Sequence, residues 1–271
     1  MKGASWLALA AAIVAAAAAC ALSAEEKVNG NAEKETNKKQ ALDAAEAKTL
    51  IARLISEKQD ERTAAADRLV EAAEQAVPFL LKQLEIDDDA MRARVAAVLG
   101  RIDSEQVLEA LHQRLKSEKS DDVRRELIGA VGNHRKPESI GKIREFLLNK
   151  NPLLRLETVM ALGRIGDKSA LPDVKRSSLD DDHRVRRAAV VAMGLLGVKD
   201  AIPALIDRLR DENLSVRTIA HVVLKKISGK DFEFNPDDDD AKREEAVLLW
   251  DTWWKTQERG DTGGNAEKEE Q

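Results

Sequence analysis

Histidine is the residue of this chain best suited to metal binding or acid–base chemistry, and four copies occur, at His112, His134, His183 and His221. Ligands of one metal ion must converge, yet these four lie far apart in the sequence, and none belongs to a helical His-Glu-x-x-His pair. The serines show no Gly-x-Ser-x-Gly motif, and no glycine-rich loop resembles a phosphate cradle. The sequence therefore predicts a protein that is not an enzyme, with no catalytic residues, no metal site and no cofactor.

Three short acidic runs offer the oxygen ligands that calcium prefers, at residues 87–89, 180–182 and 237–240. The residues after Asp237 lack the glycine and the spaced acceptors of an EF-hand loop. Acidic residues are also favoured at helix N-termini, where their side chains cap free N–H groups and the helix dipole attracts negative charge. We interpret the three runs as helix-capping residues.

The overall composition bounds both the fold and the partners. Aromatic residues make up 3% of the 271 residues and tyrosine is absent, so alanine and leucine must fill the core. No stretch shows the alternating β-branched pattern of a strand, which predicts an all-α protein. The 44 basic and 49 acidic residues are mixed along the chain and leave a net charge of −5. Because no extended positive field results, we expect no nucleic-acid partner.

One arginine recurs at intervals of 30 to 32 residues. Its six copies are Arg62, Arg92, Arg124, Arg155, Arg186 and Arg217. An apolar residue follows each copy by seven positions, as Leu69 and Leu162 do. Such a period is typical of a solenoid, whose units bury their apolar faces only against their neighbours. The pattern predicts a right-handed α-solenoid of about six repeats over residues 42–228, each with a helix A and a helix B, and with the arginine early in helix B.

Good helix-capping residues stand four positions before the last five arginines. They are Asp88, Ser120, Asn151, Asp182 and Asn213. Their side chains can accept hydrogen bonds from the free N–H groups of the first helical turn, so we predict an N-cap at each. An arginine one turn into helix B can reach a carboxylate or amide of its own or the adjacent A–B turn. The six arginines are therefore predicted to form a structural ladder of charge-assisted hydrogen bonds.

These units resemble HEAT repeats of the phycobilisome-lyase type over about residues 42–228. The pattern Asp-x-x-Val-Arg-x-x-Ala-x-x-Ala-Leu-Gly is almost complete in the fifth unit. It is carried there by Asp182, Val185, Arg186, Ala189, Ala192, Met193 and Gly194. The resemblance implies an armadillo-like helical fold that serves as a scaffold, an adaptor or a lyase subunit. Lyase members are thought to act on bilin chromophores, which leaves a lyase-like subunit as an alternative function.

The two ends of the chain differ from the repeats. After the last repeat, residues 229–258 predict a connector and an amphipathic helix, over about 238–257, whose Trp250 and Trp254 cover the open end of the core. Residues 259–271 are predicted to form a disordered tail. Before the first repeat, residues 24–41 are polar and lack apolar periodicity, which predicts a flexible tether.

The first 23 residues have the charged start, apolar middle and small-residue end of a signal peptide. Their apolar run, residues 6–22, is near the lower length limit for spanning a bilayer, so a retained anchor is an alternative. Cys20, the only cysteine, follows three alanines in a partial match to the lipobox of bacterial lipoproteins, so its acylation is a second alternative. We expect an exported, periplasmic or cell-envelope protein that contacts the membrane only through the signal or an acylated Cys20.

Binding to another protein is the function that the repeats favour. The helix B positions that face away from the core are charged in the early units, at Arg94, Arg101 and Arg125. In the later units they are apolar: Leu156, Met160, Val191, Leu195, Ile219 and Val222. Helix B lines the concave side of this fold, so we predict that these six residues bind a protein partner. The alternatives are that neighbouring B helices or the Trp-bearing capping helix cover them, or that the protein is a membrane-tethered spacer.

Overall fold

A computed structural model describes residues 41–266 of the protein. All regular structure in that range is helical and contains no strand, which confirms the predicted all-α fold. The signal peptide, Cys20 and residues 24–40 of the tether lie outside the described residues and stay predictions. No helix within the described range is both long enough and apolar enough to cross a membrane.

Six consecutive helix pairs, each with a helix A and a helix B, make up most of the described chain. The first three are α1 (Ala44–Arg53) with α2 (Gln59–Ala72), α3 (Val77–Gln83) with α4 (Asp89–Leu99), and α5 (Glu105–Ser117) with α6 (Asp121–Asn133). The last three are α7 (Ile140–Ile143) with α8 (Pro152–Ile165), α9 (Leu171–Ser177) with α10 (His183–Leu196), and α11 (Ile202–Asp207) with α12 (Leu214–Ser228). Each B helix packs against the next one, which confirms the predicted α-solenoid.

Local sequence explains where these helices begin and end. Proline stands in the first turn of α3, α8, α9 and α11, where its missing N–H leaves no hydrogen bond unmade. Gly166, Gly197 and Gly229 end α8, α10 and α12 in the left-handed conformation, with φ angles of 79°, 64° and 67°. Glycine has no side chain to oppose that conformation, so the chain can turn sharply at the end of these three B helices. Short 3₁₀ segments extend two A helices, Arg144–Leu148 after α7 and Arg208–Arg210 after α11.

Glycine also sets the spacing between neighbouring B helices. A Cβ atom on Gly132, eight residues after the repeat arginine, would lie 2.7 Å from the Cβ of Ala161 in the next unit, and Gly163 makes a similarly close approach. Interior atoms are already close-packed, so a side chain at this position would force the two helices apart. The first and last units have Val70 and Lys225 at the same position. The close glycine contact is therefore confined to the middle of the solenoid.

A single long helix, α13 (Asp240–Ala266), follows the last pair. It continues past the predicted end at Gln257, which corrects the boundary of the predicted disordered tail: the chain is helical to residue 266, and residues 267–271 lie outside the described range. No proline follows Gln257, and glycine weakens a helix without necessarily ending it. The main contacts of α13 are with α11 and the 3₁₀ segment after it, so α13 takes the position of a further helix A.

Trp250 closes the end of the core. Its side chain is fully buried, and its ring packs edge-on against Phe232 and Trp253 with centroid distances of 4.7 and 5.8 Å. Trp254, which was also predicted to cover the core, is half-buried. Phe232 comes from the connector, so aromatic rings from two segments join in covering the last unit.

Candidate functional site

The repeat arginines bind the turn that precedes their own helix. In all six units the guanidinium group donates a hydrogen bond to the carbonyl oxygen six residues earlier, at distances of 2.7 to 3.0 Å. Arg62 and Arg186, for example, bind the carbonyls of Ser56 and Asp180. A charged donor makes a strong hydrogen bond, so each arginine holds the A–B turn of its own unit in place.

Three of these arginines also reach a carboxylate of the next unit. Arg155 binds Asp180 through two hydrogen bonds of 2.7 Å, and Arg186 binds Asp211 at 2.8 and 2.9 Å. Arg92 makes the equivalent contact with Glu118 at 2.9 Å. Both side chains of this last pair are buried. In the final unit, Arg217 instead binds the carbonyl of Pro236 in the connector. These contacts form an interunit ladder.

Glu118 illustrates the electrostatics of this ladder. Burial alone would raise the pKa of its carboxyl, but hydrogen bonds from Arg92, from the Ser120 N–H and from Arg114 lower that pKa to about 2. The carboxylate is therefore charged at neutral pH and is held by two arginines. The Arg92–Glu118 contact is a structural ion pair. The acidic partners of the ladder were not predicted from the sequence, although each stands 25 or 26 residues after its arginine.

The ladder is not continuous between units, because two of its arginines bind only within their own unit. Arg124 binds only its own turn and Asp121, because the residue 25 positions later is Asn149, a neutral amide. Within residues 41–266, Arg62 binds only the carbonyls of Ser56 and Glu57. Its Nε and Nη2 atoms have no hydrogen-bond partner among the described residues, so its interunit side is vacant.

The five predicted N-caps all stand at the start of a B helix, and four of them accept a backbone hydrogen bond. Asp88, Asn151, Asp182 and Asn213 accept from the N–H two or three residues later at 2.8 to 3.0 Å. Ser120 makes no such bond. In the same turn the buried Glu118 carboxylate accepts hydrogen bonds from the backbone N–H groups of residues 119 and 120.

The six predicted partner-binding residues lie on helices α8, α10 and α12, and together we name them the apolar face. Leu156, Met160, Val191, Ile219 and Val222 are half-buried, and Leu195 is 40% exposed. No residue of the set is buried in the core. Helix α13, which was the other candidate cover, has its main contacts with α11 and the following 3₁₀ segment. The apolar face is therefore accessible in part at every position.

The equivalent positions of the early units carry charged groups, which we name the charged face. Arg101 pairs with Asp67 of the preceding unit at 2.8 Å, and Arg125 pairs with the adjacent Glu126 at 3.3 Å. Arg94 is exposed and makes no hydrogen bond or ion pair among the described residues. These pairs are accessible to water and screened by it, so they contribute little to stability and leave the charges available to a ligand.

The two faces meet in the fourth unit. There Glu157 and Arg164 form an ion pair on α8, above Gly129 of the preceding B helix. A Cβ on Gly129 would lie only 2.9 Å from the Glu157 carboxylate, so the absence of a side chain at this position leaves room for the pair. Met160 of the apolar face lies between these two charged residues in sequence. The change from charge to apolar surface thus occurs within one helix.

A groove of about 370 Å³ opens between the B helices of the first two units. It is lined by Leu54, Gln59, Arg62, Thr63, Ala66, Arg94, Ala97, Val98 and Arg101. Three of these residues are arginines and none is acidic. Sequence reasoning identified Arg94 and Arg101 as charged surface but did not bring them together with the repeat arginine Arg62.

The histidines occupy separate environments. His112 Nε2 lies 3.1 Å from the Ser139 hydroxyl in the core, and burial lowers the pKa of both His112 and His134. His221 packs against the rings of Phe234 and Trp250. His183 is exposed at the start of α10. Within the described range, no group of three or more His, Cys, Asp or Glu side chains is arranged to hold a metal ion.

The sequence of the chain matches the model of the HEAT-repeat family at residues 47–131, 109–193 and 176–241. No curated protein matches it. Among solved structures, YibA of Escherichia coli is 21% identical, covers 74% of this chain and 78% of its own, and has a TM-score of 0.56. At that identity, the likeness shows a shared fold alone.

Two other solved structures are similar at lower TM-scores. The CpcE–CpcF complex of phycocyanin lyase from Nostoc sp. PCC7120 is 23% identical over 67% of this chain and 99% of that chain, with a TM-score of 0.38. A computationally designed armadillo repeat protein for modular peptide recognition is 18% identical over 65% of this chain and 98% of that chain, with a TM-score of 0.39. Neither likeness carries an argument about activity.

Proposed function

We propose that this chain, which belongs to the HEAT-repeat family, is a protein-binding scaffold that docks an amphipathic helix of its partner on the apolar face. The observation that carries the proposal is the accessibility of six apolar side chains on three successive B helices, with Leu195 exposed to 40%. Exposed apolar surface that is continuous over several elements is typical of interaction sites. A HEAT solenoid offers a rigid support for such a surface.

The chemistry of the apolar face favours a helix as the bound segment. The six side chains are aliphatic or thioether groups and present no row of free backbone groups, so they can bind apolar anchors but cannot extend a β-sheet. An amphipathic helix presents anchors at the spacing of successive turns and keeps its own backbone hydrogen bonds. Met160 adds an adaptable thioether that accommodates anchors of different shape.

The test combines site-specific crosslinking with a binding-deficient variant. A photocrosslinking amino acid at Leu195 should capture the partner in intact cells, and the same group at Leu148, an 83% exposed residue at the end of a helix A, should not. The triple substitution Met160→Lys, Val191→Lys and Leu195→Lys should abolish capture, while Leu148→Lys should leave it unchanged. Equal capture from both positions, or capture retained by a folded triple variant, would reject this site.

We also propose that the scaffold works in the cell envelope. Support comes from the charged start, apolar run and small residues of positions 1–23, which are typical of an export signal. Fractionation and N-terminal sequencing of the mature protein should find it outside the cytoplasm and without those residues. Labelled palmitate that enters the protein and is lost on Cys20→Ala would instead assign a lipid anchor, and retention of the protein in the cytoplasm would exclude export.

A further inference from the structure

The groove between α2 and α4 lies at the interface of the first and second units, which lacks the glycine contact found between the middle units. Between the middle units, glycine at the eighth position after the arginine lets the next B helix approach closely, as Gly132 does toward Ala161. Val70 stands at that position in the first unit and is half-buried. A groove of about 370 Å³ lies between the two helices.

Arg62 lines this groove, and its Nε and Nη2 atoms, which we name its vacant edge, have no hydrogen-bond partner among the described residues. In the fourth and fifth units, the Nε and Nη2 atoms of Arg155 and Arg186 bind both oxygens of a carboxylate 25 residues later. The corresponding residue for Arg62 is Asp87, which is exposed and makes no hydrogen bond with it. The guanidinium is already held by its own turn through Nη1, so the vacant edge is preorganised for a planar, two-oxygen anion.

The rest of the groove adds positive charge and a small apolar floor. Arg94 lines it without an ion-pair partner in the part of the chain that the structure describes, and Arg101 lines it while paired with the exposed Asp67. Ala66 and Ala97 form the part of the floor that solvent reaches. A ligand that fits must therefore combine a carboxylate with a compact aliphatic portion, as a glutamate beside an apolar residue in a peptide does.

We propose that the groove binds an acidic peptide segment of a protein partner and that a carboxylate of this segment occupies the vacant edge of Arg62. Arg94 and Arg101 neutralise the neighbouring charge, and an aliphatic side chain of the peptide packs on Ala66 and Ala97. The bound carboxylate completes in trans the ladder contact that Asp180 and Asp211 make within the chain. This site is separate from the apolar face and does not depend on the function proposed for it.

The experiment uses the full-length protein and a fluorescent amidated peptide in which leucine and glutamate alternate. Anisotropy should report saturable binding, and the arginine Nε–Hε NMR resonance of Arg62 should shift during the titration. A matched peptide with glutamine in place of glutamate should bind about tenfold more weakly, because it forms no charge-assisted hydrogen bond. Arg94→Gln should weaken binding of the acidic peptide about threefold, and added salt should weaken it further.

Several controls keep the result specific. Arg176→Gln removes an exposed arginine of helix α9 and should leave binding unchanged. The triple lysine variant of the apolar face should bind the acidic peptide as the wild type does, so the two sites fail or succeed separately. Equal affinity for the glutamine peptide, an unmoved Arg62 resonance, or unchanged binding by both Arg94→Gln and Arg101→Gln would overturn the proposal. So would inorganic phosphate that binds as tightly as the peptide, because the site would then select a small anion.

Discussion

The charged face and the apolar face are built from the same repeat positions and differ in chemistry. Five residues after the arginine, the first unit has Asp67, whereas the last three units have Met160, Val191 and Val222. Three residues after the arginine, in contrast, every unit places a buried side chain. Positions that hold the fold together agree among the units, and positions that face solvent diverge. Divergence on a constant framework is therefore the best guide to where each half of the solenoid binds.

The largest expected effect comes from breaking a ladder contact in the later units, which carry the apolar face. Asp211→Ala removes the buried carboxylate that Arg186 binds and leaves only the exposed Glu212 as its acidic partner, and we expect the free energy of unfolding to fall by about 3 kcal/mol. Asp87→Ala removes the exposed residue at the same position after Arg62, with which it makes no ladder contact. This variant should change the free energy of unfolding by less than about 0.5 kcal/mol. Urea unfolding of the two variants measures the difference, and equal losses would show that the ladder contact contributes nothing specific.

Acid should destabilise the fold by protonating a carboxylate of the ladder. The folded-state pKa of Glu118 is lowered from 4.5 to about 2, so its carboxylate stabilises the fold above about pH 4.5, and that contribution is lost as the pH falls toward 2. We expect a loss of about 3 kcal/mol across this window. Glu118→Gln should be less stable at neutral pH and should lose this part of the pH dependence. A variant that keeps the full acid sensitivity would assign it to other carboxylates.

A third prediction tests the glycine spacing. Gly132→Ala should lower the free energy of unfolding by about 2 kcal/mol, because the added methyl group overlaps Ala161 in the next unit. Gly141→Ala on α7 meets no atom within 4 Å and should instead stabilise the helix by about 0.5–1 kcal/mol. Thermal unfolding of both variants should thus give shifts of opposite sign. Shifts of the same sign would contradict the proposed role of the close contact.

The smallest expected effect on stability is at the surface of α10, where an exposed residue stands next to a buried one. Leu195→Lys should change the free energy of unfolding by less than about 0.5 kcal/mol, because the side chain is 40% exposed, while it removes partner binding. Leu196→Lys, at the next residue, places a charge at a site that is 7% exposed and should be far more destabilising. Chemical denaturation together with the crosslinking assay separates the two effects. A large stability loss at Leu195 would reassign it to the core.

Much of this fold could be predicted from the sequence because the same pattern of residues recurs in each repeat. The six arginines, the apolar positions around them and the capping residues recur at one period, and local hydrogen bonding explains each of them. The predicted units and caps therefore lie close to their observed positions. The helical extension of α13 to Ala266 was missed because periodicity ends with the tryptophans and several glycines follow.

The sequence by itself determined the number of units, the position of each arginine in helix B and the divergence of the exposed positions, since all three are local or periodic properties. Only the tertiary structure decided which arginines reach a neighbour, because that depends on whether a carboxylate in the A–B turn of the next unit lies within hydrogen-bond distance of the guanidinium group. Arg155 and Arg62 occupy equivalent positions, yet only Arg155 binds the next unit. Asp87, 25 residues after Arg62, is exposed and does not bind it, so the Nε and Nη2 atoms of Arg62 have no hydrogen-bond partner among the described residues, and Arg62 lines the groove at one end of the solenoid.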